Sequence, residues 1–347
     1  MKSFCLILTL QIFCLFVKAQ PPKDSTYYAK ISSPDVNMIS VYKGKYKVFT
    51  QKVGTGSIKL LLLHGGPGQS HEYFENFPEN LKNQNVTIYY YDQLGSYYSD
   101  NPDDSTVWNV NRFVEEIEEV RKGLKLDKFY LLGHSWGGML AELYAAKYGQ
   151  HLKGVILSNV PGFFSKDLST LNSIIDSVDQ TVRYRTTLLP KFSANKPQID
   201  SISKGLALSD QTMSLKLTEQ FNKANDSIFG RTMYYHKAGK MPEPLRRSMR
   251  HAENKGMDTY HFNPFGANYK QALEKNKVPT FLLGGQNDFL HPEYYDSLKK
   301  VMKNTKVKVY ICPNGAHFPM WDDTDNYFRE LNHFLKDVET GSFIPKS

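Results

Sequence analysis

One segment, Lys128-Phe-Tyr-Leu-Leu-Gly-His-Ser-Trp-Gly-Gly138, carries the strongest structural signal in the chain. The apolar residues 129–132 predict a buried strand, and residues 139–148 have the composition and spacing of a helix. Between them lies a G-x-S-x-G pentapeptide, residues 133–137, which in a strand–turn–helix setting is typical of a nucleophile elbow. The segment therefore predicts that Ser135 lies on a strained turn, with its hydroxyl exposed at the edge of a sheet.

The neighbours of Ser135 fit this interpretation. Gly133 and Gly137 are expected where backbone approaches backbone so closely that a Cβ atom would clash. The turn also directs the backbone N–H of Trp136, at the N-terminus of the new helix, towards a developing negative charge. A chance G-x-S-x-G in a glycine-containing loop is the alternative, and the flanking strand and helix favour the elbow.

A second glycine-rich loop, His64-Gly-Gly-Pro-Gly68, follows the apolar residues 58–63. That run is typical of a strand buried on both faces of a parallel sheet. Phosphate binding would require a Lys-Ser/Thr pair after the glycines or a full G-x-G-x-x-G, and neither is present. A plain tight turn remains an alternative interpretation of this loop. We favour half of an oxyanion hole, in which the N–H of Gly65 or Gly66 converges with that of Trp136.

Further core elements follow in regular alternation. Residues 36–53 alternate apolar and polar side chains around Lys43-Gly44, which predicts an antiparallel hairpin. More core strands are predicted at residues 86–91, 154–159, 278–285 and 307–312. Because helical segments separate the later strands, the sequence predicts an α/β fold with a doubly wound, mostly parallel sheet.

Two acidic features are interpreted as structural. The amphipathic helix predicted between residues 110 and 124 has an acidic run that we interpret as a solvated face: Glu115, Glu116, Glu118 and Glu119. Asp92 ends the strand 86–91, and we expect it to hydrogen-bond loop amides rather than to act in catalysis.

The alternation stops near residue 161 and resumes near residue 278. This interval is too long for a loop, so we expect a mainly helical cap at residues 163–274, inserted between the core segments 20–162 and 275–347. A cap over the carboxyl edge of the sheet lies where a pocket is expected. Its candidates for facing a substrate are Tyr234, Tyr235, His236, Glu243, Glu253, Tyr260, Phe262 and Phe265.

Two more polar residues follow predicted strands. Asp288 comes just after the strand 278–285, and His317 lies on a glycine-containing loop after the strand 307–312. The chain order Ser135, Asp288, His317 is the order of a serine triad on such a sheet. Ser135 needs a base within hydrogen-bond reach, His317 can take and return its proton, and Asp288 can fix the histidine tautomer.

The first 19 residues are expected to be a secretory signal peptide. Lys2 precedes an apolar run at residues 4–17, and Val17-Lys-Ala19 offers small residues at positions −3 and −1 of a cleavage site. The run is short for a membrane span, although an uncleaved anchor remains the alternative. We therefore expect an exported protein, periplasmic or secreted, without a membrane attachment after cleavage.

Composition and charge limit the partners, disulfides and cofactors that the protein can be expected to have. The formal net charge of +8 falls to +6 when the signal peptide and its two lysines are removed. The basic residues are spread along the chain, so we expect no nucleic-acid partner. The one remaining cysteine, Cys312, cannot form an internal disulfide. The histidines other than His317 show no paired ligand spacing, and we expect no metal ion and no cofactor.

Five motifs together resemble those of the proline iminopeptidase family of α/β-hydrolases: His64-Gly-Gly-Pro-Gly68, Tyr91-Asp-Gln-Leu-Gly-Ser96, Gly133-His-Ser-Trp-Gly-Gly138, Gly284-x-x-x-Asp288 and Gly315-Ala-His317. The resemblance extends from about residue 36 to about residue 336 and implies the α/β-hydrolase fold. It also implies release of an N-terminal amino acid, often proline, from small peptides, amides or arylamides, with cap carboxylates holding the free α-amino group.

The sequence departs from the family pattern in two places. Leu94 stands where many members have arginine, and Tyr97-Tyr98 stand where a glycine and a polar residue are common, which resembles the branch with broader amino-acid specificity. Relatives often carry a cap glutamate soon after a Gly-Pro, whereas Phe265-Gly-Ala-Asn268 has none. Glu243 is then the candidate anchor for the substrate amino group, and a solvent-facing carboxylate at a helix start is its alternative.

Three functional hypotheses stay open at this point. The first is a secreted serine aminopeptidase that forms an acyl-enzyme on Ser135, with a small peptide or amino-acid amide as its substrate. The second is an esterase or another small-molecule hydrolase with the same triad. The third is a non-catalytic binding protein on a hydrolase scaffold, against which an intact triad argues. Dehalogenase or epoxide hydrolase chemistry is disfavoured, because it would place an aspartate where Ser135 stands.

Overall fold

The computed structural model describes residue 23 and residues 25–161, 241–252, 255–263, 266–288 and 293–343. The predicted signal peptide, residue 162 of the predicted core and residues 163–240 of the predicted cap lie outside these residues. Five cap residues singled out above also lie outside them: Tyr234, Tyr235, His236, Glu253 and Phe265. In the part of the chain that is described, no helix is long and apolar enough to cross a membrane.

The described residues contain eight strands and ten α-helices. The strands are β1 (Val36–Val41), β2 (Tyr46–Val53), β3 (Ile58–Leu63), β4 (Val86–Tyr91), β5 (Phe129–His134), β6 (Leu152–Ser158), β7 (Thr280–Gly285) and β8 (Val307–Cys312). The helices are α1 (Ser25–Ile31), α2 (Phe77–Leu81), α3 (Val110–Gly123), α4 (Trp136–Tyr148), α5 (Glu243–Arg250), α6 (Lys255–Thr259), α7 (Tyr269–Lys275), α8 (Glu293–Val301), α9 (Pro319–Asp322) and α10 (Thr324–Glu339). Three short 3₁₀ turns join them at His71–Phe74, Ser105–Val107 and Gly149–His151.

The strands form one sheet in the order β1-β2-β4-β3-β5-β6-β7-β8. The pairs β1/β2 and β2/β4 are antiparallel, and the other pairs are parallel. The predicted hairpin and the predicted doubly wound, mostly parallel sheet are therefore confirmed.

The apolar strands lie in the middle of the sheet, where helices cover both of their faces. In β3, Leu61 and Leu63 pack with residues of α3 and α4 on one face, and Leu60 and Leu62 pack with residues of α10 on the other. This is the two-residue alternation of a strand, with an apolar layer on each side.

The register brings three strand ends to one level of the sheet. Leu63 of β3 pairs with Gly133 of β5, and Gly133 pairs with Leu157 of β6. The loops that follow β3, β5 and β6 therefore start side by side at the carboxyl edge, where ligands bind in open α/β sheets.

The solvated acidic face predicted for α3 is wrong at two positions, because Glu116 and Glu118 are buried. Glu116 accepts the backbone N–H of Leu94 at 2.9 Å and pairs with Arg112, whereas Glu118 pairs with Arg121 Nε at 2.8 Å. Ion pairing and hydrogen bonds compensate the burial of such carboxylates. The helical pattern shows polarity but not the partners that other elements supply.

Candidate active site

The turn at Ser135 is strained, as the pentapeptide predicts. Ser135 has φ 54° and ψ −123° between the end of β5 and the start of α4. A Cβ atom built on Gly133 would lie 2.2 Å from the carbonyl oxygen of Gly137, and one on Gly137 would lie 2.2 Å from that of Leu63. Only glycine fits these two approaches, which confirms the reason given for both glycines.

Ser135 is less accessible than the sequence predicts, since the residue is only 4% exposed. The loop after β3 covers it: a Cβ atom built on Gly65 would lie 2.8 Å from the Ser135 Cβ and 3.4 Å from its Oγ. The hydroxyl therefore lies beneath the loop that was predicted to carry an oxyanion donor, rather than at an open edge.

Asp288 and His317 meet through their side chains. The Nδ1 atom of His317 lies 3.1 Å from Asp288 Oδ1 and 3.2 Å from Oδ2, and both residues are buried. A carboxylate in this position fixes the histidine tautomer and stabilises an imidazolium. The two residues, 29 positions apart in the chain, thus have the geometry that the sequence predicts for them.

Backbone contacts hold the two loops that carry this pair. The N–H of Asn287 donates to the carbonyl of Gly315 at 2.8 Å, and that of Gln286 donates to the carbonyl of Cys312 at 2.9 Å. A Cβ atom on Gly285 would lie 2.2 Å from the carbonyl oxygen of Ala316. Backbone hydrogen bonds therefore tie the described part of the loop after β7 to the loop after β8.

Asn159 is a member of the site that the sequence analysis missed. Its side-chain amide donates to Asp288 Oδ2 at 2.5 Å and to the carbonyl of Ala316 at 3.0 Å. It directly follows β6, so the criterion that singled out Asp288 and His317, a polar residue just past a core strand, also applies to it.

The elbow strand is tied to the histidine loop by His134, the residue before Ser135. His134 Nε2 lies 2.7 Å from the backbone carbonyl oxygen of His317. The N–H of Ser135 donates to the carbonyl of Ser158 at 2.9 Å. The structure thus brings the proposed nucleophile, base and carboxylate to one end of the sheet, on loops that contact one another.

The predicted oxyanion donors differ in their availability. The N–H of Gly65 donates to Tyr73 Oη at 2.5 Å, so this amide is already engaged and its assignment as a donor is not supported. Gly66, with φ 113°, remains the candidate from this loop. Trp136 is the first residue of α4, and its indole Nε1 donates to Gln93 Oε1 at 2.9 Å.

Hydrogen bonds connect the loop after β4 to the glycine-rich loop. Gln93 Nε2 donates to the carbonyl of His64 at 2.8 Å, and its backbone N–H donates to His64 Nε2 at 3.0 Å. Asp92 accepts the backbone N–H of His71 at 2.6 Å and lies 2.9 Å from its Nδ1. The structural role predicted for Asp92 is therefore confirmed.

A buried carboxylate, Glu72, joins the 3₁₀ turn His71–Phe74, which follows the glycine-rich loop, to α5. Glu72 accepts from Ser70 Oγ at 2.7 Å and from Arg247 Nε at 2.5 Å, and it lies 2.7 Å from His251 Nδ1. Burial opposes the ionisation of Glu72, but the hydrogen bond and charge of His251 help to outweigh it, and the pKa falls to about 2. An ionised group thus anchors α5, which lies within the predicted cap, to the turn at His71–Phe74.

Glu243 does not have the surroundings expected of an anchor for a substrate ammonium group. It lies in the first turn of α5, half exposed, and pairs with Arg246 and with Arg250 Nη2, the latter at 2.7 Å. Two guanidinium groups already neutralise this carboxylate. The structure favours the alternative, a solvent-facing carboxylate at a helix start.

Tyr97 and Tyr98, which depart from the family pattern, are buried against the N-terminal helix. The ring of Tyr98 stacks on that of Tyr27 at 5.6 Å between centroids, and the ring of Tyr97 stacks on that of His251 at 3.9 Å. Tyr98 Oη also donates to Glu72 at 3.0 Å. These rings therefore connect α1, the core and the end of α5.

The sequence matches the profile of the α/β hydrolase fold over residues 59–324. It is 34% identical to a proline iminopeptidase of Elizabethkingia meningoseptica over 316 residues, which are 86% of this chain and 97% of the relative. It is also 34% identical to a proline iminopeptidase of Flavobacterium johnsoniae over 312 residues, which are 85% of this chain and 95% of the relative.

Solved structures share the fold at lower identity. The proline iminopeptidase of Mycobacterium smegmatis aligns with a TM-score of 0.66 and 18% identity, covering 89% of this chain and 100% of that one. An esterase from Exiguobacterium antarcticum aligns with a TM-score of 0.59 and 19% identity, covering 86% of this chain and 99% of that one. At such identities the alignments establish the fold alone.

Proposed function

Because the chain belongs to the proline iminopeptidase family of α/β-hydrolases and is thereby a serine hydrolase, we propose that it is a serine aminopeptidase. It releases an N-terminal amino acid, proline or a broader set, from short peptides, amides or arylamides. The observation that supports this most is the buried Asp288–His317 pair beside the strained turn of Ser135. These three residues, in this order, supply what acyl transfer requires.

The proposed reaction proceeds through an acyl-enzyme. Ser135 Oγ attacks the carbonyl carbon of the N-terminal residue while His317 Nε2 takes the hydroxyl proton. The N–H groups of Gly66 and Trp136 stabilise the oxyanion of the tetrahedral intermediate. The C–N bond then breaks, and the leaving amine takes the proton from His317. His317 then deprotonates a water molecule, which attacks the ester carbonyl. The C–Oγ bond breaks, His317 returns the proton to Ser135 Oγ, and the free amino acid is released.

A substrate panel tests this proposal against the esterase alternative. It contains prolyl and other aminoacyl arylamides with free and with blocked N-termini, and p-nitrophenyl acyl esters. We expect turnover of the free-amine arylamides and little turnover of the blocked ones. Turnover of the esters with none of any arylamide would replace the aminopeptidase by an esterase. Absence of both, without covalent labelling by a fluorophosphonate, would indicate a binding protein.

We also propose that the protein is exported after cleavage behind Ala19, on the strength of the charged, apolar and small-residue pattern at residues 1–19. Fractionation of cells that express the full-length gene, followed by N-terminal sequencing of the mature chain, tests this. We expect the sequence to begin at Gln20 in a periplasmic or medium fraction. An uncleaved chain in the membrane fraction would favour the anchor.

A further inference from the structure

A row of buried hydrogen bonds crosses the site from the glycine-rich loop to the histidine loop. Gly65 N–H donates to Tyr73 Oη at 2.5 Å. Tyr73 Oη lies 3.1 Å from His134 Nδ1, and His134 Nε2 lies 2.7 Å from the carbonyl oxygen of His317. Gly65, Tyr73, His134 and His317 are all buried.

The direction of each bond in this row follows from its two ends. A backbone N–H only donates, and a backbone carbonyl only accepts. His134 therefore carries its hydrogen on Nε2 and leaves Nδ1 as an acceptor, which receives the hydroxyl proton of Tyr73. Tyr73 Oη then accepts from Gly65. One set of donors and acceptors satisfies all three contacts.

The protonation states required by this row are those that burial favours. Burial raises the pKa of Tyr73 well above its usual value, so the hydroxyl keeps its proton. Burial, and then the neighbouring charge of His317, lower the pKa of His134 well below its usual value, so the imidazole stays neutral. A protonated His134 would lose the acceptor that Tyr73 uses.

We propose that Tyr73 and His134 are positioning residues that set the distance between the oxyanion loop and the base. We call the row Gly65–Tyr73–His134–His317 the positioning chain. It holds Gly65 against Ser135, and so places the next residue, Gly66, where its N–H can reach the oxyanion. At its other end it holds the backbone of His317, while Asp288 holds the ring. This inference rests on the proposed function, since it assigns the chain a role in the same acyl transfer.

Tyr73→Phe is the decisive variant because it removes one oxygen and keeps the ring. Tyr144→Phe is the matched control: Tyr144 is also fully buried, and its hydroxyl donates at 2.9 Å to Glu118, away from the site loops. We expect Tyr73→Phe to lower kcat by up to about 10²-fold, as small misplacements of reacting groups do, with KM changed less than threefold. Tyr144→Phe should leave both constants within twofold of wild type.

His134→Gln interrupts the same row at its second member and provides an independent test if Tyr73→Phe folds poorly. The double variant should lose no more than the stronger single variant, since residues in one hydrogen-bonded network are not additive. The rate of phosphonylation of Ser135 by a fluorophosphonate should fall in parallel with kcat. That readout needs no aminopeptidase substrate, so it tests the positioning chain even if the proposed function fails.

The outcomes separate a positioning role from a merely structural one. A lowered kcat and a lowered phosphonylation rate, at a melting temperature equal to that of Tyr144→Phe, support the positioning chain. Wild-type rates in Tyr73→Phe, or losses in the two single variants that multiply in the double variant, would overturn it.

Discussion

The side-chain amide of Asn159 donates a hydrogen bond to Asp288 Oδ2 at 2.5 Å. Asn159 is itself held in a left-handed conformation, φ 47°, with its backbone N–H donating to the carbonyl of Leu283 at 2.9 Å. The same carboxylate contacts His317 Nδ1. Asn159 thus fixes the orientation of the group that is proposed to orient the base.

Asn159→Ala should lower kcat about tenfold or more, because a hydrogen bond to a charged group is worth roughly 1.5–3 kcal/mol. Without the donor, the carboxylate of Asp288 loses one of the contacts that orient it towards His317. Steady-state kinetics on an aminoacyl arylamide check this. Asn276→Ala is the control, since Asn276 is also buried and donates to Thr280 Oγ1 at 2.9 Å, at the start of β7 and so at the opposite end of this strand from Asp288. Equal kcat values in the two variants would contradict the role given to Asn159.

The proposed triad itself predicts two different losses. Ser135→Ala should abolish turnover and fluorophosphonate labelling, because it removes the hydroxyl that is proposed to take the acyl group. Asp288→Asn should retain the fold but lower kcat by about 10⁴-fold through the wrong histidine tautomer. Circular dichroism and thermal melting confirm folding in both. Substantial activity in Ser135→Ala would remove Ser135 as the nucleophile.

The close approach of Gly65 to Ser135 predicts a steric effect on activity. In Gly65→Ala the new methyl group would lie 2.8 Å from the Ser135 Cβ, so loop and nucleophile must separate, and kcat/KM should fall on the order of 10²-fold. Gly44→Ala is the contrasting variant, since Gly44 has φ +83° and nothing within 4 Å. It should cost roughly 1–2 kcal/mol of stability through backbone strain and leave kcat/KM unchanged. Full activity in Gly65→Ala would mean that the loop is not held against Ser135.

The strands and the order of the polar residues could be predicted because they are local properties of the sequence. Continuous apolar runs mark β3 and β5, and the residues just past such strands must lie at one edge of a parallel sheet. Asp288 and His317 follow from that rule. Asn159 obeys it too, but an asparagine is not a member of a serine triad, and only the fold shows that its amide meets Asp288.

What could not be predicted depends on partners from distant parts of the chain. The N–H of Gly65 is used by Tyr73, which lies on a separate turn, and the buried Glu116 accepts the N–H of Leu94, which lies on the loop after β4. Glu243 is a different case, since its partners Arg246 and Arg250 lie only three and seven residues further along the same helix, and helical spacing alone could have predicted its pairing with Arg246. Periodicity shows which residues are polar, and the fold decides what they meet.

The contact of Glu72 with α5 predicts a loss of stability in acid. The folded-state pKa of about 2 lies below the ordinary glutamate pKa of 4.5, so the unfolded chain binds a proton first as the pH falls. This stabilisation is complete above about pH 4.5 and is lost between there and about pH 2, and it amounts to about 3 kcal/mol. Urea unfolding of wild type and Glu72→Gln over this range measures it. Exposed Glu79→Gln, the control, should change stability by about 0.5 kcal/mol or less.

The environment of Glu142 predicts the opposite pH dependence, a loss of stability as the pH rises. It lies within α4, is buried, and has no hydrogen-bond partner for either carboxylate oxygen among the described residues. Burial raises its pKa well above the ordinary 4.5, so the folded chain keeps a proton that the unfolded chain releases. Stability is therefore lost as the pH rises from about 4.5 towards the folded-state pKa.

Glu142→Gln keeps the shape and removes the titration. The free energies of unfolding of wild type and Glu142→Gln should differ by a constant amount below about pH 4.5, and the difference should move in favour of the variant at every higher pH up to the folded-state pKa. Urea unfolding at a series of pH values measures this difference. Glu274→Gln, at an exposed position of α7, is the control and should give a curve parallel to wild type. A parallel curve for Glu142→Gln would mean that the carboxylate is ionised in the folded protein and has a partner.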